Sequence, residues 1–177
     1  MSQRPGRPPI HIIAVGKVKG ASAKYLQPGI DAFLDRLQPY ASLSIVEVAE
    51  ETVSPTRTRE QILEREADRL LPHFDRAAYR VVLSEHGSLL SSEQFAEALS
   101  KRCFSGNPLS GGPSNPASGP TIFVIGGPLG LSPKVVRAAD WVVSLSPMTF
   151  PHQMVRLLIL EQLYRAFRIQ RNEPYHK

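Results

Sequence analysis

The side chains best equipped to act on another molecule lie near the C-terminus. His152 and Arg156 stand four residues apart in "PHQMVRLL", a spacing that puts both on one face of a helix. A histidine there can exchange a proton near neutral pH, and an arginine can hold a phosphate or position a flat polar group. Each has a plainer reading, with His152 capping the helix and Arg156 simply solvated. The chain closes on "RNEPYHK", a tail too polar for a core, in which Tyr175 and His176 can stack on a base and exchange a proton. Cys103 is the only cysteine. It excludes an intramolecular disulfide or a thiolate metal cluster, fits a reducing cytoplasm, and reads as an unreactive helix residue. His11, His73 and His86 share no metal-ligand spacing, so no metal is assigned.

Two loops could hold what those side chains act on. In "TIFVIGGPLGLS" an apolar strand runs into Gly126, Gly127 and Gly130 and then a helix start, the arrangement on which α/β proteins hold phosphates and nucleotides. It is not a Walker A loop: counted from Gly126, the second glycine position is Leu131, and no lysine follows until Lys134. Nor is it the dinucleotide fingerprint, because Ile125 stands where the first glycine must be. The glycines still permit positive φ and a close approach of ligand to backbone, unless the turn is an ordinary strand-to-helix connection. The second loop, "LSPMTFPHQ", is stiffened by Pro147 and Pro151 just before a helix. Two stiff loops at strand C-termini can hold a flat heterocycle through backbone N–H and C=O groups, with apolar faces around it.

The elements that must position these loops alternate. "IHIIAVG", "LSIVEVAE", "YRVVLSEHG", "TIFVI" and "WVVSLS" read as strands, the first and third ending in glycine turns. "SAKYLQPGIDAFLDRLQPY" reads as a helix in which Pro28 and Gly29 fall near the start or make a kink. "TRTREQILEREADRLLPHF" reads as an amphipathic helix with Ile62, Leu63, Leu70 and Leu71 inward and its acids and arginines outward. "SSEQFAEALSKRCF" starts at a serine cap with glutamate close behind, and a short helix spans about 132–139. The last helix, "MVRLLILEQLYRAFRIQ", is apolar nearly all round. In a small domain its surplus face would meet a second subunit, unless the helix is central to a monomer core. The pattern predicts an α/β fold with a mainly parallel sheet of about five strands and helices on both faces.

With 177 residues, 42% of them hydrophobic, the chain suits one domain. Residues 105–120 are an exception: fourteen of the sixteen are Gly, Pro, Ser or Asn, a flexible insert within that domain rather than a linker. No apolar run approaches a membrane span, and "MSQRPGRPPI" does not read as a secretory signal. The net charge of +5 is uneven. Residues 1–24 carry Arg4, Arg7, Lys17, Lys19 and Lys24 with no acid, and residues 152–177 are also basic, a distribution suited to a polyanion such as nucleic acid or to a solvated surface.

"FVIGGPLGLS", "SLSPMTFPHQMVRLLILEQLYRAF" and the terminal "NEPYHK" closely resemble the ribosomal RNA large subunit methyltransferase H family of SPOUT-class enzymes. "IHIIAVGKVK" and "YRVVLSEHG" match it more loosely, and the first nine residues and the Gly/Pro/Ser segment do not match. "LSEHG" departs by carrying serine where family members often have aspartate. The resemblance implies a single domain over 1–177 with a C-terminal trefoil knot, an exception to unknotted connections. It also implies a cytoplasmic homodimer that uses S-adenosylmethionine to methylate N3 of a pseudouridine in 23S rRNA of the ribosome. The cofactor pocket would comprise Leu83, Gly127 and the run Ser146, Pro147, Met148, Thr149, Phe150 and Pro151, shaped by Gly126 and Gly130. Removing the N3 proton calls for a base or a nearby positive charge. Arg156 would position phosphate or base, His176 would assist proton removal, and Tyr175 and His152 stand with them. A non-catalytic RNA-binding protein that keeps the fold is the alternative, distinguished by failure to bind the cofactor.

Overall fold

The structure, a computed structural model, describes residues 7–103 and 119–175. The elements run β1 (Pro9–Val15), α1 (Ala21–Leu37), β2 (Ser42–Val48), α2 (Arg59–Leu70), a 3-10 segment (Leu71–Arg76), β3 (Tyr79–Leu89), α3 (Ser92–Cys103), β4 (Thr121–Ile125), α4 (Pro133–Arg137), β5 (Trp141–Ser144) and α5 (His152–Gln170). All strand pairs are parallel, in the order β2-β1-β4-β3-β5. A parallel sheet is covered on both faces, and alternate side chains serve the two covers. Ile10, Ile12, Phe123, Ile125, Val81 and Leu83 pack with α1, α3 and α5, whereas Ile13, Val15, Ile122, Val124 and Val82 pack with α2 and α4. The expected five-stranded α/β architecture is the one observed. The insert lies outside the described residues except for Gly119 and Pro120. Gly119 lies so close to the 3-10 segment that a Cβ on it would collide with the Arg76 carbonyl oxygen.

Several boundaries differ from the sequence expectation, each for a local reason. Pro28 lies inside α1, seven residues past its start, rather than at its edge. The adjoining Gly29 lets α1 approach α5 closely, since a Cβ there would stand 3.1 Å from Leu157 Cδ1. α2 opens on a capping box, Thr58 with Gln61, and ends at Leu70 because Pro72 cannot extend the ladder. α3 is capped by Ser91, whose hydroxyl accepts the Gln94 amide and donates to the Glu93 carboxylate at 2.7 Å, while the Gln94 side chain accepts the Ser91 amide.

β3 does not stop at its glycine. Leu83 and Ser88 both align with Val143 of β5, so Ser84–Gly87 bulges out and the strand then resumes. Gly87 is required where the bulge returns, because a Cβ would collide with the Val143 carbonyl carbon. α5 buries one stripe, Ile159, Leu160, Leu163, Ala166 and Phe167, against the sheet. Met154, Val155, Leu157, Leu158, Tyr164 and Ile169 are only half-buried, so the helix is not enclosed all round.

Candidate functional site

The parallel sheet gathers the candidate loops at one end. Leu83 pairs with Ile125, one residue before Gly126, and with Val143, three residues before Ser146. Leu83, the glycine turn and the loop after β5 are therefore neighbours at the C-terminal edge of three adjacent strands. The glycine turn is held from within. The Gly130 amide donates to the Gly127 carbonyl at 3.0 Å, and Gly130 takes φ +87, where side chains are strained. A Cβ on Gly126 would lie 2.5 Å from the Gly130 oxygen, so that position also needs glycine. Arg59 on α2 donates to the Leu129 carbonyl and fixes the tip of the turn.

Gly127 answers to the interior. A Cβ there would meet Val15 Cγ1 at 3.1 Å and both carboxylate oxygens of Glu66 at 3.4 Å. Glu66 is 3% exposed and accepts from the Glu51 amide at 3.0 Å. Burial raises its pKa above the ordinary carboxylate range, the Glu51 amide opposing and the Glu50 carboxylate reinforcing. The expectation that every acid of α2 faces outward is therefore corrected. Glu66 lies four residues from Ile62 and from Leu70 and three from Leu63, so helical periodicity itself marks it as an inward position. Its neighbour Glu51 is paired with Arg57 and Arg69, and the Arg69 contact holds its pKa low.

After β5, Ser144 Oγ donates to the Ser146 carbonyl and Ser146 Oγ accepts the Met148 amide, both at 3.0 Å. The loop is thereby curled, with Pro147, Met148, Thr149 and Pro151 exposed and Ser146 and Phe150 half-buried. Met148 is 69% exposed, an apolar side chain left beside the glycine turn's sheet edge. Glycine positions that must stay bare, backbone groups in a curled loop, and the apolar Leu83 together fit a flat heterocyclic ligand with an aliphatic arm.

His152 opens α5 but does not cap it. Its Nε2 is buried without a hydrogen-bond partner and lies 4.0 Å from Glu50 Oε2. Burial lowers its pKa; Glu50 works against that, while the charges of Arg156 and Lys19 add to it. A neutral histidine with an unpartnered ring nitrogen can accept a proton. Gly16, with φ +79, makes room for this pair, because a Cβ would fall 2.6 Å from Glu50 Oε2. In the sequence, Gly16 reads only as the end of a strand.

Arg156 sits elsewhere than on a solvated face. It is 1% exposed, and its guanidinium donates to Glu47 at 2.6 Å, to the Gly16 carbonyl at 2.7 Å and to the Val15 carbonyl at 3.3 Å. It closes the C-terminal end of β1 and ties α5 to β1 and β2. A side chain so engaged and so enclosed positions the site and presents no face to a phosphate.

Tyr175 lies far along α5 from His152. Its hydroxyl donates to Glu161 at 3.2 Å, its ring stands edge-on to Tyr164, and Arg165 covers it. Glu161 follows His152 by nine helical residues, about 13 Å of rise. The tail takes this path because Asn172, at φ 52, ends α5 in a Schellman motif: the Glu173 amide reaches the Arg168 carbonyl and the Asn172 amide reaches Ile169. Glu173 is then anchored by Arg168 and the Tyr40 hydroxyl. Within one chain the tail and the loop pocket are thus apart. His176 lies outside the described residues. Among the described residues no group of three acidic, histidine or cysteine side chains is placed to hold a metal, and no helix is long and apolar enough to cross a membrane. Cys103 is half-buried, its thiol pushed up to about 12 by desolvation.

Comparison with known proteins covers the same span. Residues 9–176 match the family model described as "Predicted SPOUT methyltransferase". A protein of Halothermothrix orenii named ribosomal RNA large subunit methyltransferase H is 42% identical over 171 residues, covering 95% of this chain and 99% of its own. The same name belongs to a Symbiobacterium thermophilum protein 44% identical over 174 residues, again covering 95% and 99%. Among solved structures, a probable methylase family protein from Haemophilus influenzae superposes with a TM-score of 0.51 at 15% identity, over 95% of this chain and 70% of that one. That likeness concerns the fold.

Proposed function

The chain belongs to the SPOUT methyltransferase family, and on that premise we propose that it methylates N3 of a pseudouridine in 23S rRNA of the large ribosomal subunit with S-adenosylmethionine as donor. The observation that carries the reading is the meeting of Leu83, the Gly126–Gly130 turn and the 146–151 loop at adjoining strand ends, in a chain that matches the rRNA methyltransferases over nearly its full length. S-adenosylmethionine, when bound, supplies an electrophilic methyl on a sulfonium sulfur. The protein's part is to hold donor and base in line, from which proximity alone can supply much of the rate.

Leu83, Gly126, Gly127, Gly130 and Ser146, Pro147, Met148, Thr149, Phe150 and Pro151 form the cofactor pocket in this reading. Arg156 acts as a positioning residue, since its three acceptors fix the start of α5 beneath the loop. The proton on N3 leaves to a neutral imidazole. His152, whose Nε2 has no hydrogen-bond partner, serves as that imidazole, and His176 assists from the tail, with Tyr175 stacking on the base. The distance between Tyr175 and His152 along α5 supports a homodimer in which one subunit's tail completes the other's pocket. Leu158, half-buried and outside both core clusters, together with the incomplete burial of its apolar neighbours on α5, supports the same assembly.

We also assign the C-terminal trefoil knot here. β5 is an edge strand, yet α5 begins at the ends of β1 and β2, so residues 145–151 cross the ends of β3 and β4, from which other loops depart. A ribosomal substrate puts the enzyme in the cytoplasm, as one domain.

The test is mass spectrometry of 23S rRNA from a strain lacking the gene, together with titration of S-adenosylmethionine into the purified protein. Loss of one methyl from a pseudouridine and a saturable heat of binding are expected. Unchanged rRNA, or no cofactor binding, would favour the non-catalytic RNA binder.

A further inference from the structure

We propose that the exposed turn Lys17–Lys19 and the start of α1, with Lys24 and Tyr25, form the surface on which the substrate RNA strand docks beside the pocket. The inference rests on the proposed function and adds where the RNA lies. It begins from the uneven charge, which the structure sorts residue by residue. Arg7 is at the opposite end of β1 and donates to the Gln38 carbonyl. Arg156 is interior, and Arg165 and Arg168 are paired with Glu161 and Glu173. Lys101 and Lys134 also face carboxylates. Lys17, Lys19 and Lys24 are all exposed, and none has a carboxylate partner among the described residues. The first turn of α1 carries no acid to offset them.

The nearest acids do not cancel this charge. Glu47 Oε1 is held by Arg156 at 2.6 Å and also accepts the Val18 amide at 3.3 Å. One carboxylate therefore ties the basic turn to the helix that follows the cofactor loop. Glu50 is turned toward Gly16 and His152. Through Glu47, which Val18 and Arg156 share, the turn lies beside the start of α5, and the charge of Lys19 adds to the lowering at His152. Tyr25, 62% exposed, follows Lys24 directly and offers an aromatic face with its hydroxyl near Ser22 Oγ. Unpaired lysines for phosphates and an exposed ring for a base make a single-strand binding surface. A membrane of anionic lipid would also meet the lysines, but the aromatic at the rim of a nucleotide-modifying pocket favours RNA.

The experiment compares wild-type protein with the K17A/K19A/K24A variant for binding of a fluorescein-labelled RNA stem-loop over a range of salt. Removing three phosphate-binding charges should flatten the slope of log affinity against log salt by about 2–3 and weaken binding at least about tenfold at moderate salt. K17R/K19R/K24R should bind as wild type does, and Tyr25→Ala should weaken binding at least about fivefold while Tyr25→Phe does not. The K101A/K134A variant, with charge removed elsewhere, should be unchanged. S-adenosylmethionine titrated into each variant should bind as it does to wild type. If the triple-alanine variant keeps wild-type affinity and slope, or wild type binds no RNA, the surface is wrong. If wild type binds RNA through these lysines but takes no S-adenosylmethionine, the surface stands and the methyltransferase reading falls. Anionic vesicles bound equally well by wild type and Tyr25→Ala, with no RNA bound, would assign the lysines to a membrane instead.

Discussion

Gly127 and Glu66 meet at the floor of the candidate pocket, and their contact alters what a mutation there should do. From sequence, a side chain at position 127 obstructs the ligand. From the structure it also strikes Val15 and the Glu66 carboxylate, so Gly127→Val should lower thermal stability as well as cofactor affinity. Glu66 itself is better protonated in the fold, because burial raises its pKa. The folded state then binds more protons than the unfolded one above the ordinary carboxylate pKa, and stability falls as pH rises through that window. Glu66→Gln removes the ionisation while keeping an acceptor for the Glu51 amide. It should raise the melting temperature by a few degrees at pH 7, with the gain vanishing near pH 4. His152 titrates in the opposite sense. Its lowered pKa means the acid limb of kcat/KM for rRNA methylation should lie below pH 6.5, and Glu50→Gln should push it lower still, since Glu50 is the group that favours the imidazolium. An acid limb above 6.5 would remove His152 from proton transfer. Of these residues the glycines and His152 were legible by type and spacing. Glu66 was hidden by its charge, although its helical position gave it away.

At the scale of elements, alternation and periodicity were enough to find five strands and their helices. They missed what depends on partners distant in sequence. The bulge at Ser84–Gly87 exists because β3 must fit against β5, some 55 residues on, and no local pattern encodes that register. Arg156 is the same case, since an arginine in an apolar helix reads as a surface residue until Glu47 and the β1 carbonyls are brought to it. The clamp has a measurable strength. Arg156→Met leaves the Val15 and Gly16 carbonyls without this charged donor, and should cost about 2–3 kcal/mol in urea unfolding. Glu47→Gln, which keeps an acceptor for Arg156, should cost less. Both should weaken S-adenosylmethionine binding more than they slow transfer at saturation, as expected of groups that set the loop rather than touch the reacting atoms.

Over the whole molecule, the tail and α5 are where the proposed dimer and its shared site can be tested. Light scattering should give twice the 19.6 kDa chain mass. Truncating the tail would also remove Glu173, the partner of Arg168 and Tyr40, so point changes are the cleaner probe. The Y175A/H176A variant should dimerise and bind cofactor but lose methylation. Mixed with a Gly127→Ala variant impaired in the pocket, it should recover part of the activity through one complete hybrid site. A mixture that exchanges subunits and stays inactive would show that each chain serves itself.

The hydrogen bond from Arg156 to Gly16 joins residues 140 apart, and this has a consequence for the newly made chain. At about 5–20 residues per second, roughly 7–30 s of translation separate the synthesis of β1 from that of the residue that caps it. Until then the carbonyls at the end of β1 lack this donor, and α5, which fixes the end of the 145–151 loop, is absent. The growing polypeptide is therefore catalytically silent by construction. Competence waits for the last helix, and in the proposed dimer for the tail that follows it and for a second chain to supply that tail.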